Sequence, residues 1–484
     1  MIPATNKRFL ILLLVGLGVR ILTLPMPGTE DMLTNQIWGA RTVEQGITRT
    51  YILDDTEYLT KAILFWRHLP YHFPPPTYQS ELGTLDHVPN YPPLSVYTFW
   101  LSTWAAKLIL GGRLQLGGVL NACFNAVPLL ATLGIVIAVW SFLREEGVAT
   151  PWWVLAAFWL NPVMLLHSPV LGYVDSVFTL LGFCSLWLLY RKRFTGSVIF
   201  LALSCLTKPQ GVLILPVVLV AVLAEKDWRL FRRASLNLVL CSFVPFLPFI
   251  FTGYGLGTLR GTFQVVHVAY LSSNQANLWW IVSWVLPALS GESFAVLLRP
   301  VIMRQVGEFQ EILHFDAQWT ALLLLGVVVG VSLYFLWSEL QRGNRLAIFW
   351  AAALQVYLFT MLALHPHENH LYPFFVYALP LVVLRKRQFA GTYVALSAVF
   401  ALNLFLFDGF GRGTEAAAGA LRFALGFDLS VALSFVNVLL FLSVVLSTDR
   451  HFSSTREGDS GAGDPPTRPS AVPSVADRER GGPA

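Results

Sequence analysis

Long apolar stretches separated by short polar breaks run the length of the chain. A helix needs about 17–25 largely apolar residues to cross a hydrocarbon core of about 30 Å. Windows of this kind fall at 9–25, 116–143, 151–169, 175–190, 195–207, 210–224, 234–252, 318–338, 346–364, 371–384, 389–407 and 428–447. The pattern predicts an all-α polytopic membrane protein with about twelve transmembrane helices. Two further apolar pieces, 94–110 and 278–290, leave their crossing open. Residues 195–207 and 210–224 make a hairpin closed by Lys208-Pro209-Gln210. Its arms are short for a full crossing, so the turn is expected at a protein-lined cavity, where irregular backbone is tolerated inside a membrane.

Charge then orients the chain. Lys and Arg gather in cytoplasmic loops. The basic positions are Lys7/Arg8, Arg144, Arg191-Lys192-Arg193, the 226–233 run, Arg342/Arg345 and Arg385-Lys386-Arg387. Placing them on one side puts 26–93, 170–175, 208–210, 253–317, 365–370 and 408–427 on the other. Residues 94–110 then make an outer juxtamembrane or re-entrant helix; the alternative has them cross and Arg144 lie outside.

Composition agrees with this reading. The 484 residues are 55% hydrophobic and 13% charged, against about 25% charge in a soluble domain. The net charge of +5 comes largely from the basic loops, so it speaks for topology and not for nucleic acid. The N-terminal stretch reads as a retained signal anchor and first span, since Arg20 interrupts the apolar run and no small-residue cleavage site follows. The expected organisation is a transmembrane domain over 1–448, with 26–93 as its first outer loop. A Ser/Gly/Pro-rich tail over 449–484 is expected to be disordered and cytoplasmic.

The unusual polar clusters all fall on the outer side: 27–38, 86–97, 171–176, 207–211, 272–280 and 365–370. Ionisable groups at membrane depth are costly, so they are usually paired or functional. Clusters from distant parts of the chain at the same helix ends can line one cavity. Glu30 and Asp31 follow the first span, where a carboxylate can serve as general base or be ordinary loop acidity. Tyr91 precedes Pro92-Pro93, which start a helix; it is at most a cavity wall. Asp175 begins a span and can be a helix cap or a functional carboxylate. Lys208 can meet a phosphate, or snorkel, with Gln210 beside it. Asn274 and Asn277 suit a sugar or headgroup, while Trp279-Trp280 read equally as an aromatic belt.

The densest cluster is "HPHENH", which packs His365, His367, Glu368 and His370 between two spans. His367 and His370 share a face if the segment is helical. Glu368 is followed by Asn369-His370, so this is not the zinc motif H-E-x-x-H. Interfacial histidines without a role, a metal site and an anionic headgroup site are the candidate readings; the last fits best, with His as donor near neutral pH. No Gly-x-Gly-x-x-Gly or P-loop is present.

In order along the chain these pieces resemble the GT-C superfamily of integral membrane glycosyltransferases. They look most like the dolichyl- or polyprenyl-phosphate-sugar-dependent glucosyl- and mannosyltransferases. The carrying residues are Asp31 with Trp38 and then Tyr91-Pro92-Pro93-Leu94, "GYVDSVFTLL", "LTKPQGVLILP", "NQANLWW" and "HPHENHLYP". The resemblance runs from about residue 9 to 385, and each motif is weak by itself. Asn90 and Asn369 stand where the family usually has Asp and Lys or Arg, and Tyr173 where it has Gln. The charge missing at 369 puts phosphate contact there in doubt; the histidines or Lys208 could compensate.

The resemblance implies inverting transfer of a hexose, mannose or glucose, from a polyprenyl-phosphate donor to a glycan or glycolipid acceptor at the outer face. Asp31 would be the base, with Glu30 and Asp175 as further catalytic candidates. Tyr91, Lys208, Gln210, Asn274, Asn277, His365, His367, Glu368 and His370 would bind substrate. No cofactor is implied beyond the lipid-linked sugar, and a divalent metal is left open. The partners would be membrane lipids and the two substrates, with no nucleic acid. A prokaryotic plasma membrane is favoured over endoplasmic reticulum. The alternative is a transporter or flippase for a lipid-linked sugar; the long first outer loop and the one-sided polar motifs argue against it.

Overall fold

The computed structural model describes residues 4–51, 78–80, 82–85, 88–148, 158–263, 270–384 and 386–453. Most of the first outer loop, Asp86-His87, residues 149–157, which include the start of the expected third span, residues 264–269 and the tail past 453 lie outside the described residues.

The chain is a multi-pass helical membrane protein. Its main helices are α1 (Ala4–Thr23), α2 (Glu30–Gln45), α3 (Pro93–Ile109), α4 (Gly118–Glu145), α5 (Asp175–Tyr190), α6 (Phe194–Thr207), α7 (Leu215–Ala224) and α8 (Trp228–Phe243). They continue with α9 (Leu278–Leu289), α10 (Ala317–Gln341), α11 (Ala347–Leu362), α12 (Lys386–Asp408) and α13 (Leu429–Ser453). A small antiparallel hairpin, β1 (Tyr78–Ser80) and β2 (Gly83–Leu85), decorates the first outer loop. Among the described residues, five helical segments are long and apolar enough to span on their own: Gly118–Glu145, Trp228–Phe251, Ala317–Gln341, Phe389–Asp408 and Leu429–Leu446. The other apolar helices are shorter, α6 and α7 among them. The chain divides into Met1–Phe441 and Leu442–Ala484. The last helix runs to Ser453, so residues 449–453, expected in a disordered tail, are helical.

Burial follows the apolar pattern. Helix α11 is apolar on every side and is buried almost throughout, as an all-round hydrophobic helix should be. Helix α10 is equally apolar but turns Leu323, Val331 and Tyr334 outward, each at least 62% exposed. In a membrane that face meets lipid.

The two ends of the bundle are chemically distinct. At one end, Arg191 pairs with Glu145, while Lys192 and Arg345 both pair with Glu225. Four of the basic loops assigned to the cytoplasm therefore meet, those at Arg144, 191–193, 226–233 and Arg342/Arg345. The polar clusters assigned outside meet at the other end. Helix α3 begins and is left there: the Ser95 hydroxyl donates to the Thr207 carbonyl, and Asn121 just beyond donates to Pro25 O at 3.0 Å. The chain therefore enters and leaves the α3 segment at the same end of the bundle. The expected third span is interrupted: Asn161 caps a short turn, Pro162–Leu165, and a π-helical turn follows over Leu166–Val170 with Pro169 inside it.

Candidate active site

A clamp sets the position of Asp31. Residues 24–29 join α1 to α2, and polar side chains hold their carbonyls. Asn125 donates to Leu24 O at 2.9 Å, and the Arg412 guanidinium to Pro27 O at 2.8 Å. The Arg412 backbone N–H reaches Gly28 O, and Thr29 N–H reaches Leu171 O. Gly28 has φ of +64°, a conformation other residues adopt only with strain. Helix α2 then starts with Glu30 and Asp31, both exposed.

The Lys208 hairpin is built from backbone. Thr207 ends α6, Lys208 is extended, and Pro209–Ile214 form a 3₁₀ turn into α7. A Cβ at Gly211 would sit 2.6 Å from the Cys205 amide nitrogen, so the turn closes this tightly only with glycine. Lys208 lies under the turn with Nζ 2.6 Å from Asp175 Oδ1, and His167 Nε2 is 3.3 Å from the other Asp175 oxygen. Asp175 is the first residue of α5 but makes no capping bond. The cap expectation is therefore corrected: its carboxylate is spent on Lys208, because a buried ammonium needs a counter-charge more than a helix end needs a cap.

The His365–His370 loop is pinned from three directions. His365 N–H donates to Leu271 O, and Ser273 N–H to Pro366 O. His365 sits at φ +58°. The loop is a turn and not a helix start, with His370 N–H on His367 O. The His367 N–H donates to His370 Nδ1 at 3.1 Å, and the Gln210 amide lies 2.9 Å from His370 Nε2. The rings of His365 and His367 are 4.9 Å apart, and those of His367 and His370 5.2 Å. Burial holds all three below the usual histidine range, His365 at about 4. They are neutral near pH 7. Among the described residues no group of three His, Cys, Asp or Glu side chains converges as a metal site would.

These parts enclose one cavity of about 460 Å³. Its walls include Asp31, Asn35, Trp38, Asn90, Tyr91, Lys208, Gln210, His365, His367, Asn369 and His370. Tyr91 packs edge-on to Trp38 at 6.0 Å, with Lys208 Nζ 5.9 Å from its ring. Asn35 Oδ1, His365 Nδ1 and Asn369 Oδ1 are buried and have no hydrogen-bond partner among the described residues. Buried polar atoms are nearly always satisfied, so three such atoms on one cavity mark a place for a polar ligand.

The remaining candidates stand apart from the walls. Glu30 is exposed and is not among the cavity walls. Asp175 lies beneath Lys208, and Glu368 behind its histidine neighbours, 6% exposed. Asn277 is fully buried; its side chain caps α9 at Trp280 N and donates to Thr360 O at 3.0 Å. Asn274 has φ +59° and offers its carbonyl to Asn403. Trp279 and Trp280 are buried with their indole N–H groups on Leu362 O and Ser430 Oγ. The aromatic-belt reading of this pair is corrected: their N–H groups find partners inside the bundle.

The spacing of motifs did not point to Asp408, His167 or Arg412. Asp408 carried a usable signal, an acid at the end of an apolar span. His167 carried the same kind of signal, an ionisable residue within an expected span; Arg412 carried none.

Solved structures similar to this chain include two of one protein. The crystal structure of ArnT from Cupriavidus metallidurans in the apo state is 17% identical with a TM-score of 0.46, over 92% of this chain and 78% of that one. The crystal structure of ArnT from Cupriavidus metallidurans bound to undecaprenyl phosphate is 14% identical with a TM-score of 0.45, over 94% and 80%. No family model and no curated protein matches the chain.

Proposed function

We propose that the protein is an integral membrane glycosyltransferase of GT-C type. It takes a hexose from a polyprenyl-phosphate donor and transfers it to a glycan or glycolipid acceptor on the outer face. One observation carries the reading. Asp31, Lys208 and the histidine loop, far apart in sequence, line one cavity at the end of the bundle opposite the basic loops. That cavity offers a solvated carboxylate at the rim and unspent polar groups deeper in. The ordered motifs of the sequence add support.

In this reading the acceptor hydroxyl oxygen attacks the anomeric carbon as Asp31 takes its proton. The bond from that carbon to the phosphate oxygen breaks, and its electron pair leaves with the polyprenyl phosphate. Attack opposite the leaving group inverts the anomeric centre. The phosphate gains charge as it departs, so N–H donors aimed at it stabilise the transition state more than the ground state. Lys208, Asn369 and the imidazole N–H groups are the donors at hand. Trp38 and Tyr91 form an aromatic wall for the sugar.

The test is donor turnover by purified protein in detergent, with polyprenyl-phosphate mannose and glucose and a mixed acceptor extract, for wild type and Asp31→Asn. Release of polyprenyl phosphate by wild type alone supports the proposal. A wild type that moves lipid-linked sugar across a sealed bilayer, yet breaks no glycosyl bond in detergent, sinks it in favour of a flippase.

A further inference from the structure

Behind the histidine loop, two acids meet across one hydroxyl. Tyr173 Oη lies 2.6 Å from Glu368 Oε1 and 3.1 Å from Asp408 Oδ2. Tyr173 is 4% exposed and Glu368 6%. A phenol has a single hydrogen and donates it to one carboxylate. The second carboxyl oxygen then faces the phenol oxygen acceptor to acceptor, unless it carries a proton and donates in return. The geometry is satisfied by one carboxylate, one phenol and one carboxylic acid.

We propose that Glu368 and Asp408 hold one proton between them across the Tyr173 hydroxyl, and that this proton lets a phosphate anion enter the adjacent cavity. The inference deepens the donor-phosphate reading given above and rests on it. Glu368 sits between His367 and Asn369, both of which line the cavity. The charges facing the pair leave little to offset a second carboxylate. Asp31 approaches from α2, and Glu415 faces Asp408. Lys208 is the nearby cation, and Asp175 already neutralises it. The loop's own histidines are neutral. With the proton, the acid pair carries a single negative charge; without it, two negative charges stand behind the phosphate site. Burial pushes Glu368 up to about 7, against the lowering effect of the Tyr173 hydrogen bond, and Asp31 adds to the rise. Loss of that proton as pH rises adds the second charge, and the histidines, held below their usual range, do not offset it.

The experiment measures binding of undecaprenyl phosphate to the full-length protein in detergent between pH 6 and 9. Wild type is compared with Glu368→Gln and Asp408→Asn. Each amide fixes the pair at one negative charge and keeps a hydrogen-bond donor. The wild-type Kd is expected to rise about tenfold per pH unit above its midpoint, the slope of one linked proton. Whatever their absolute affinities, both amide variants should lack that alkaline step. The ligand's own ionisation, near about pH 6, is common to all three proteins. Wild-type affinity that stays flat from pH 7 to 9 overturns the inference, as does an equal slope in the variants. Absence of binding at every pH, together with absence of donor turnover, removes the proposed function itself and this inference with it.

Discussion

Lys208 Nζ lies 2.6 Å from Asp175 Oδ1, with the two side chains 5% and 0% exposed. Removing one member of a buried ion pair strands the other and costs about 3–5 kcal/mol, whereas removing both can be near neutral. Asp175→Asn and Lys208→Met should each lower the thermal midpoint sharply in detergent. The double variant should recover most of the loss. A double variant as unstable as the sum of the singles would show that the two residues act independently.

Asp31 stands at the cavity rim, and the clamp on residues 24–29 fixes its approach. Loss of a general base removes about 10²–10⁴-fold in rate. Asp31→Asn should lower kcat by that order and leave polyprenyl phosphate binding within a few-fold. Single-turnover assays with labelled donor separate the two. Retained turnover would move the base role to another carboxylate.

Gly211 has no room for a side chain: an alanine Cβ would come within 2.6 Å of the Cys205 nitrogen. Forced contacts of this kind cost about 1–3 kcal/mol. Gly211→Ala should lower the thermal midpoint and displace Lys208 and Gln210, raising the KM for donor. An alanine variant with wild-type KM would show that the hairpin does not contact the donor.

Asn277 separates a binding role from a structural one. Its side chain caps α9 and reaches Thr360 O. Losing an N-cap costs about 0.5–2 kcal/mol. Asn277→Ala should lower stability by this amount and leave the KM for donor unchanged. A selective rise in KM would return the residue to the binding site.

The stability of the fold should also depend on pH through Glu368. Its carboxyl is raised from the ordinary 4.5 to about 7. The folded state then binds more protons than the unfolded state between these values, so this residue's contribution falls as pH rises through the window and is flat above it. His365 runs the other way, lowered from 6.5 to about 4, and loses stability as pH falls through that range. The difference in thermal midpoint between wild type and Glu368→Gln isolates the glutamate. The Gln variant should gain on wild type from pH 5 to 7. A constant difference would mean that Glu368 does not titrate there.

Much of the site was legible as a set of positions. Asp31, Tyr91, Lys208, Gln210 and three histidines were expected on one side and are found on one cavity. Topology made that possible: basic loops fix a parity, and parity assigns every polar break to a face. The division of labour among those residues was not legible. Asn277 looked like a ligand-binding amide because its type suits a sugar, yet its neighbours turn it into a cap. Asp175 looked like a cap or an acid, and a lysine from the next hairpin takes its charge.

The sequence by itself determined a polytopic helical protein and grouped its polar breaks apart from its basic loops. These follow from free energies that act locally, the transfer of apolar windows into lipid and the bias of Lys and Arg toward one side. Only the tertiary structure decided which polar groups are spent and which are free. Lys208 with Asp175, and Tyr173 with Glu368 and Asp408, meet across 33, 195 and 235 residues of chain. Hydrogen bonds and ion pairs act over a few ångströms, and no spacing rule along the chain says which distant groups the packing will bring within that range.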